Sequence, residues 1–261
     1  METAVIIFSK APIPGLVKTR LTEDTCLNEN DTAIIAEAML KDTIKLASES
    51  NANKIIIGFY PEEGLKILEE LVEKVRSDGF LDKNVLFFQQ IGSNFDERFG
   101  FVIKKAFENG IDILTVLGAD LPFMEPNVIK TTFEYLTTKI YENPIVLGPS
   151  SGGGIYLVGV SKDFNPGWFS EHQLFRGGVE LSRFVSFSKE IKFKLLLLPP
   201  YGDVDIEEDL VSLITYIDAL SVAKNSVGFH FPYYTAKVLK ELGLYIIEEQ
   251  NQTRRRKIAK N

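Results

Sequence analysis

A single cysteine, two histidines and one tryptophan in 261 residues leave this chain without the side chains that several kinds of chemistry require. Cys26 alone can close no internal disulfide and build no cysteine zinc cluster, and two histidines are too few for a typical histidine-rich metal site. Any metal would need oxygen ligands. No apolar run approaches the ~20 residues that span a bilayer, and the first residues lead into a strand rather than a signal peptide, which points to a cytoplasmic protein with no membrane span. An excess of positive charge is also missing: the formal net charge is -7, which argues against a general nucleic-acid-binding surface. The one strongly basic run, RRRK at 254–257, reads as a solvated chain end rather than a contact for RNA or acidic lipid. Neither GxxxxGK(S/T) nor GxGxxG occurs, so the two common glycine-rich phosphate loops are excluded.

With 45% apolar and 25% charged residues, the chain can bury a full core. Apolar runs at 3–8, 54–59, 84–88, 113–117, 144–147, 155–160 and 193–198 are predicted strands covered on both faces. Helical periodicity occupies 31–50, 63–76, 96–108 and 126–139; Ala36, Leu40, Thr43 and Ala47 share a face of the first, and Pro126 suits the opening turn of the last. This alternation predicts a three-layer α/β/α sandwich on a mainly parallel, doubly wound mixed sheet. Residues 164–188 break the rhythm and are read as shaping a substrate pocket. A further helix opens near Ile206, with Glu207, Glu208 and Asp209 at the positive end of its dipole. Residues 1–221 are expected to form the nucleotide-binding domain. Residues 222–261 are expected to form a helical extension with a basic tail, in which Phe229, Phe231, Tyr233 and Tyr234 could seal a homodimer.

The first strand empties into KAPIPGLVKTRL, where Lys10, Lys18 and Arg20 surround a turn containing Pro14 and Gly15. Proline limits how far such a loop wanders, glycine lets backbone N–H groups approach an anion, and the cations neutralise phosphate charge. Carboxyl ends of strands in open parallel sheets are where ligands bind, so the loop is read as a phosphate site rather than a solvated surface turn. Asp120 follows the strand at 113–117 and would emerge at the same edge, as a ligand for Mg²⁺ or Mn²⁺ or as a cap for the following turn. Asp203 and Asp205 are a second acidic pair; Asp205 is read as a metal ligand, a helix cap, or both. Gly152, Gly153 and Gly154 could lie against a base, sugar or acceptor, or simply form a turn. Gln89, Gln90 and Arg98 could reach a nucleotide, although Asn94 or Asp96 as a helix cap and Arg98 in a structural ion pair compete with that reading. His172 could contact an anionic acceptor or be an ordinary surface histidine.

The strings KAPIPGLVKTRL, QQIGSNFDERF, LGADLP, GPSSGGGIYLVGV and LLPPYGDVDIEEDL resemble, in order and over about residues 3–220, an arsenosugar-associated glycosyltransferase family of the nucleotide-diphospho-sugar transferase (glycosyltransferase-A-like) superfamily. Gly92 belongs to the second of these strings. Where that family carries an acidic residue before two glycines, this chain has Gly152, a feature similar to archaeal 2-phospho-lactate guanylyltransferases. Those proteins also show a Lys-Ser-Arg-Leu loop comparable to Lys18-Thr19-Arg20-Leu21. The resemblance implies the glycosyltransferase-A-like fold and a metal- and diphosphate-binding role for Asp120. Three readings follow: a metal-dependent nucleotidyltransferase passing NMP from an NTP to a small anionic acceptor with release of pyrophosphate, a glycosyltransferase using a nucleotide sugar, and a noncatalytic nucleotide-binding protein. In the first, Lys18, Arg20 and Asp120 are catalytic, Lys10, Pro14, Gly15, Gln90 and Gly92 hold the nucleotide, Gly152–Gly154 and His172 meet the acceptor, and Asp120 and Asp205 bind the metal.

Overall fold

The structure is a computed structural model that describes residues 1–138, 140, 143–223, 226–248 and 256–261. Strands and helices alternate through β1 (Thr3–Lys10), α1 (Glu29–Glu49), β2 (Lys54–Tyr60), α2 (Leu65–Ser77), β3 (Val85–Gln89), α3 (Phe95–Glu108), β4 (Ile113–Leu117) and α4 (Pro126–Thr137). There follow β5 (Pro144–Pro149), β6 (Ile155–Ser161), α5 (Trp168–Glu171), α6 (Glu180–Ile191), β7 (Lys194–Leu197) and α7 (Glu207–Val222). Seven strands form one sheet in the order β3-β2-β1-β4-β6-β5-β7. Only β6 runs antiparallel to its neighbours; the remaining pairings are parallel.

Side-chain alternation along β1 splits the interior into two layers. Val5 and Ile7 face α1, α2 and α4 with Leu40, Ile44, Leu68 and Phe133, whereas Ala4 and Ile6 face α3 and α6 with Val102, Ile103, Phe184 and Phe187. These strands read as near-continuous apolar runs because both faces are covered. The three-layer α/β/α reading of the sequence is the fold observed. Pro126 occupies the first turn of α4, where its missing N–H costs nothing, and Asn94 caps α3 by accepting the N–H of Glu97 at 3.0 Å. The predicted end of α4 at Lys139 lies outside the described residues.

Beyond α7 the expected helical extension is corrected. One helix, α8 (Tyr233–Glu241), is followed by an antiparallel hairpin of β8 (Leu244–Glu248) and β9 (Arg256–Lys260). Helix α8 lacks a local side-chain cap, and α1 supplies one from a distance: the buried Asp42 carboxylate accepts the N–H groups of Tyr234 and Thr235 and the Thr235 hydroxyl at 3.0, 2.8 and 2.7 Å. A third apolar cluster joins Leu239 of α8 and Ile258 of β9 to Ile35, Met39, Leu210 and Leu213, and Lys260 pairs with the buried Asp31 at the start of α1. Three of the four aromatic residues expected to seal a dimer make contacts within the chain: Tyr233 and Tyr234 pack on Phe80, and Phe229 on Phe123 and Tyr216. Within the basic run, Arg254 and Arg255 lie outside the described residues.

Candidate active site

Strand order reverses between β1 and β4, so the loops leaving their carboxyl ends diverge and open a crevice there. Ile7 of β1 is paired with Leu117 of β4, which places the loop after Lys10 and the turn holding Asp120 at one edge of the sheet. The segment 203–205 is tied to that edge by the N–H of Val204, which donates to the Asp120 carbonyl at 3.1 Å. Basic groups from the first loop and acids supplied much later in the chain thereby meet. Lys18 Nζ lies 2.9 Å from Asp120 Oδ2 and 3.3 Å from Asp205 Oδ1, and the Arg20 guanidinium is 2.9 Å from the other Asp205 oxygen.

Lys18 is the buried centre of this cluster: its side chain is 7% exposed, against 38% for Asp120 and 45% for Asp205. Burial pushes its ammonium toward neutrality, but the two carboxylates overcome that and carry its pKa above the ordinary lysine value. Its backbone adopts the left-handed conformation, φ 50° and ψ 36°, at the entry to a 3₁₀ turn over Thr19–Thr22. A non-glycine residue held there costs about 1–3 kcal/mol, a strain typical of functional sites. Asp205 does not cap α7; Asp209 does, accepting the N–H groups of Asp205 and Ile206 at 2.9 and 3.0 Å. The Asp205 carboxylate is thereby free to face the cations. Asp203 is half-buried rather than solvated, and burial, reinforced by the charges of Asp120 and Asp205, raises its pKa.

A cavity of about 320 Å³ opens over the cluster, lined by Lys10, Lys18, Arg20, Gln90, Asp120 and Asp205 among the residues expected to act there. The amide nitrogen of Gln90 is held by the carbonyls of Ser9 and Gly58 at 3.0 and 2.8 Å, so this residue ties the ends of β1 and β2 together while bordering the cavity. Lys10 folds back to the Leu16 carbonyl at 3.3 Å. Sequence reasoning passed over two further lining residues, Tyr60 and Phe95, and weighed a third, Arg98, between nucleotide contact and a structural ion pair. Tyr60 ends β2 at the same sheet edge, a position that marks it as readily as Lys10. Arg98 forms no ion pair among the described residues; its guanidinium lies 5.4 Å over the Tyr60 ring, and its Nε is buried without a hydrogen-bond partner.

Two more cavities continue the crevice. One of about 200 Å³ shares Phe8, Phe95 and Asp120 with the first, and another of about 440 Å³ shares Asp203 with the second. Several expected contacts lie off all three cavities. Pro14 and Gly15 form the exposed outer turn of the first loop. Gly92 is pressed against the backbone of Glu97 and Arg98 at the start of α3, where a side chain would collide. Gly152 and Gly153 have positive φ in an open turn, and Gly154 closes it by accepting the Ser150 N–H. His172 packs on the Phe187 ring, 3.7 Å from Glu190.

Among the described residues no group of three histidine, cysteine, aspartate or glutamate side chains could enclose a metal. Asp120 and Asp205 are nevertheless hard oxygen donors, partly open to the first cavity. They suit an ion such as Mg²⁺, which completes its shell with phosphate oxygens and water instead of a protein cage.

Residues 66–177 match the model of a family described as an uncharacterized protein conserved in bacteria (DUF2064). No curated protein matches the sequence. Among solved structures, a protein from Desulfovibrio desulfuricans G20 provisionally named a nucleotide-diphospho-sugar transferase is similar at 26% identity and a TM-score of 0.72, over 92% of this chain and 95% of that one. A cytidylyltransferase from Leptospira borgpetersenii serovar Hardjo-bovis is similar at 17% identity and a TM-score of 0.50, over 92% and 94% of the two chains. A 4-diphosphocytidyl-2C-methyl-D-erythritol synthase from Anaerococcus prevotii is similar at 15% identity and a TM-score of 0.56, over 83% and 96%. The fold is that of the nucleotide-diphospho-sugar transferase superfamily, the class that the sequence motifs resemble.

Proposed function

We propose that this chain, a transferase of the nucleotide-diphospho-sugar superfamily, moves a nucleotidyl group. The observation that carries this reading is the convergence of Lys10, Lys18, Arg20 and Arg98 on one cavity at the strand-order switch, against two carboxylates. Four cations suit a triphosphate better than the diphosphate of a sugar donor. The partly exposed rings of Tyr60 and Phe95 offer flat faces for a base, and about 320 Å³ falls within the range of small-molecule sites.

In this reading an NTP lies with its phosphates along Lys18, Arg20 and Arg98. An acceptor oxygen forms a bond to the α-phosphorus, the bond from that phosphorus to the bridging oxygen breaks, and pyrophosphate leaves with the electron pair. Lys18 and Arg20 offset the charge that develops on the leaving group, and their fixed positions spare the reaction a reorganisation cost. Asp120 and Asp205 would hold a magnesium or manganese ion, whose contribution when bound is to neutralise phosphate oxygens and align them for in-line displacement. No covalent protein intermediate is needed.

The second reading, glycosyl transfer from a nucleotide sugar, is favoured by the provisional name of the similar Desulfovibrio protein. Incubation with each NTP, Mg²⁺ and a broad acceptor panel separates the two. Nucleotidyl transfer releases pyrophosphate and, with labelled pyrophosphate, regenerates labelled NTP. Absence of both, with nucleoside diphosphate released from a nucleotide sugar instead, transfers the assignment to the second reading.

A further inference from the structure

We infer that the acceptor is an uncharged, hydroxylated molecule held on the acidic and aromatic side of the crevice, not a phosphorylated anion. The inference rests on the transfer reaction proposed above and names its second substrate. Its basis is the change of character from one end of the crevice to the other. The first cavity carries four cations, whereas among the described residues no lysine, arginine or histidine lines either of the next two. The second cavity is walled by Phe8, Phe99, Ile155 and Phe175, and among the described residues its charged groups are Asp120 and Asp203. The third is lined by Phe123, Tyr201, Tyr216 and Phe229, and among the described residues its charged groups are Asp203 and Asp209. One oxygen of Asp209 already accepts two backbone N–H groups, and Asp203 lines both cavities, so it can meet a ligand from either side.

An anionic acceptor entering here would lose water beside Asp203, and Lys18, the cation bordering these acids, is already paired with Asp120 and Asp205 at 2.9 and 3.3 Å, so like charge is penalised. A hydroxylated ring meets the same surfaces favourably. Its C–H face lies on aromatic rings, and its hydroxyls donate to carboxylate and carbonyl oxygens. The rings are present as a set: Phe123 stands 5.4 Å from Tyr216 and 6.3 Å from Phe229, and the last two remain 42% and 40% exposed. The Tyr201 hydroxyl donates to the Gly228 carbonyl at 2.7 Å and the His230 N–H to the Phe123 carbonyl at 2.8 Å, which fixes the segment bearing Phe229 against the crevice. The C-terminal extension thus completes the acceptor side. In the reaction, the hydroxyl oxygen becomes bonded to the α-phosphorus, its proton passes to water, and pyrophosphate departs.

The test pairs neutral sugars and polyols with their monophosphates and measures binding to the full chain by calorimetry, together with turnover in the presence of NTP and Mg²⁺. Neutral members should bind more tightly than their phosphorylated partners. Asp203→Lys should shift the preference toward the phosphorylated partner by about tenfold or more. Asp203→Asn and Phe229→Ala serve as milder variants should the charge reversal fail to fold; Phe229→Ala should weaken neutral ligands with nucleotide affinity unchanged. Tighter binding of the phosphorylated partners, or no binding by any neutral compound, overturns the inference. Nucleotide titration is read separately: failure of NTP to bind defeats the transfer reading, whereas NTP binding combined with a phosphorylated preference defeats only the acceptor assignment.

Discussion

Lys18 brings a charge into a place where burial alone would remove it, and the carboxylates that keep it charged are those proposed to meet the metal. Lys18→Met keeps the bulk and removes the charge. We expect it to lower kcat/KM by about 100-fold or more, the scale of losing one fixed charge-stabilising donor. Stability should fall by about 1–3 kcal/mol, because Asp120 and Asp205 are left facing each other yet remain partly hydrated. Steady-state kinetics and urea denaturation check both halves. Arg20 is 65% exposed in its pair with Asp205, so its contribution is to the ligand and not the fold. For Arg20→Ala, KM for nucleotide should rise several-fold while stability moves by less than about 1 kcal/mol. These positions were legible in the sequence because cations beside a glycine turn after a first apolar run point to phosphate chemistry. For Arg98 the sequence left nucleotide contact and a structural ion pair both open, since nothing local in FDERF reveals that its guanidinium lies over Tyr60 from a different strand.

At the level of elements, α8 depends on a cap delivered by Asp42 of α1. Burial raises the Asp42 carboxyl to about 6, against the pull of Thr235 and Tyr234, whose donated hydrogen bonds favour the ionised form. The native state therefore holds this proton more tightly than the unfolded chain. Stability should decline as pH rises from about 4 through about 6, by an amount on the order of 3 kcal/mol, and level off above that. Unfolding free energies measured across this window check the slope, which Asp42→Asn should flatten. The sheet and its helices were legible because each strand from β1 to β6 is a nearly unbroken apolar run between helices of regular period. The hairpin of β8 and β9 was not. Only Ile258 of RKIAK is buried, and β8 alternates exposed with half-buried residues, so neither strand carries the two-sided burial that identifies the others. Likewise His172 and Gly152–Gly154 have residue types suited to a site, but the elements bearing them do not bring them into the lining of the three cavities.

Across the whole molecule, a chain with formal net charge -7 gathers cations at the carboxyl edge of its sheet and places acids and aromatics beyond them. In the proposed reaction this separation would orient a nucleotide with its phosphates toward β1 and leave the acceptor to approach past Asp120. Because the first cavity is open to solvent along Arg20, raising ionic strength should weaken nucleotide binding, and KM for NTP should climb with salt while kcat changes less. The central claim is that the buried Lys18, bridging acids from two distant segments, anchors the nucleotide's phosphates. Calorimetric titration of wild type and Lys18→Met with each NTP and Mg²⁺ tests it most directly. Saturable binding of an NTP by wild type, weakened by about 100-fold or more in a variant that remains folded, is the expected result. Equal affinity in the two proteins would contradict it.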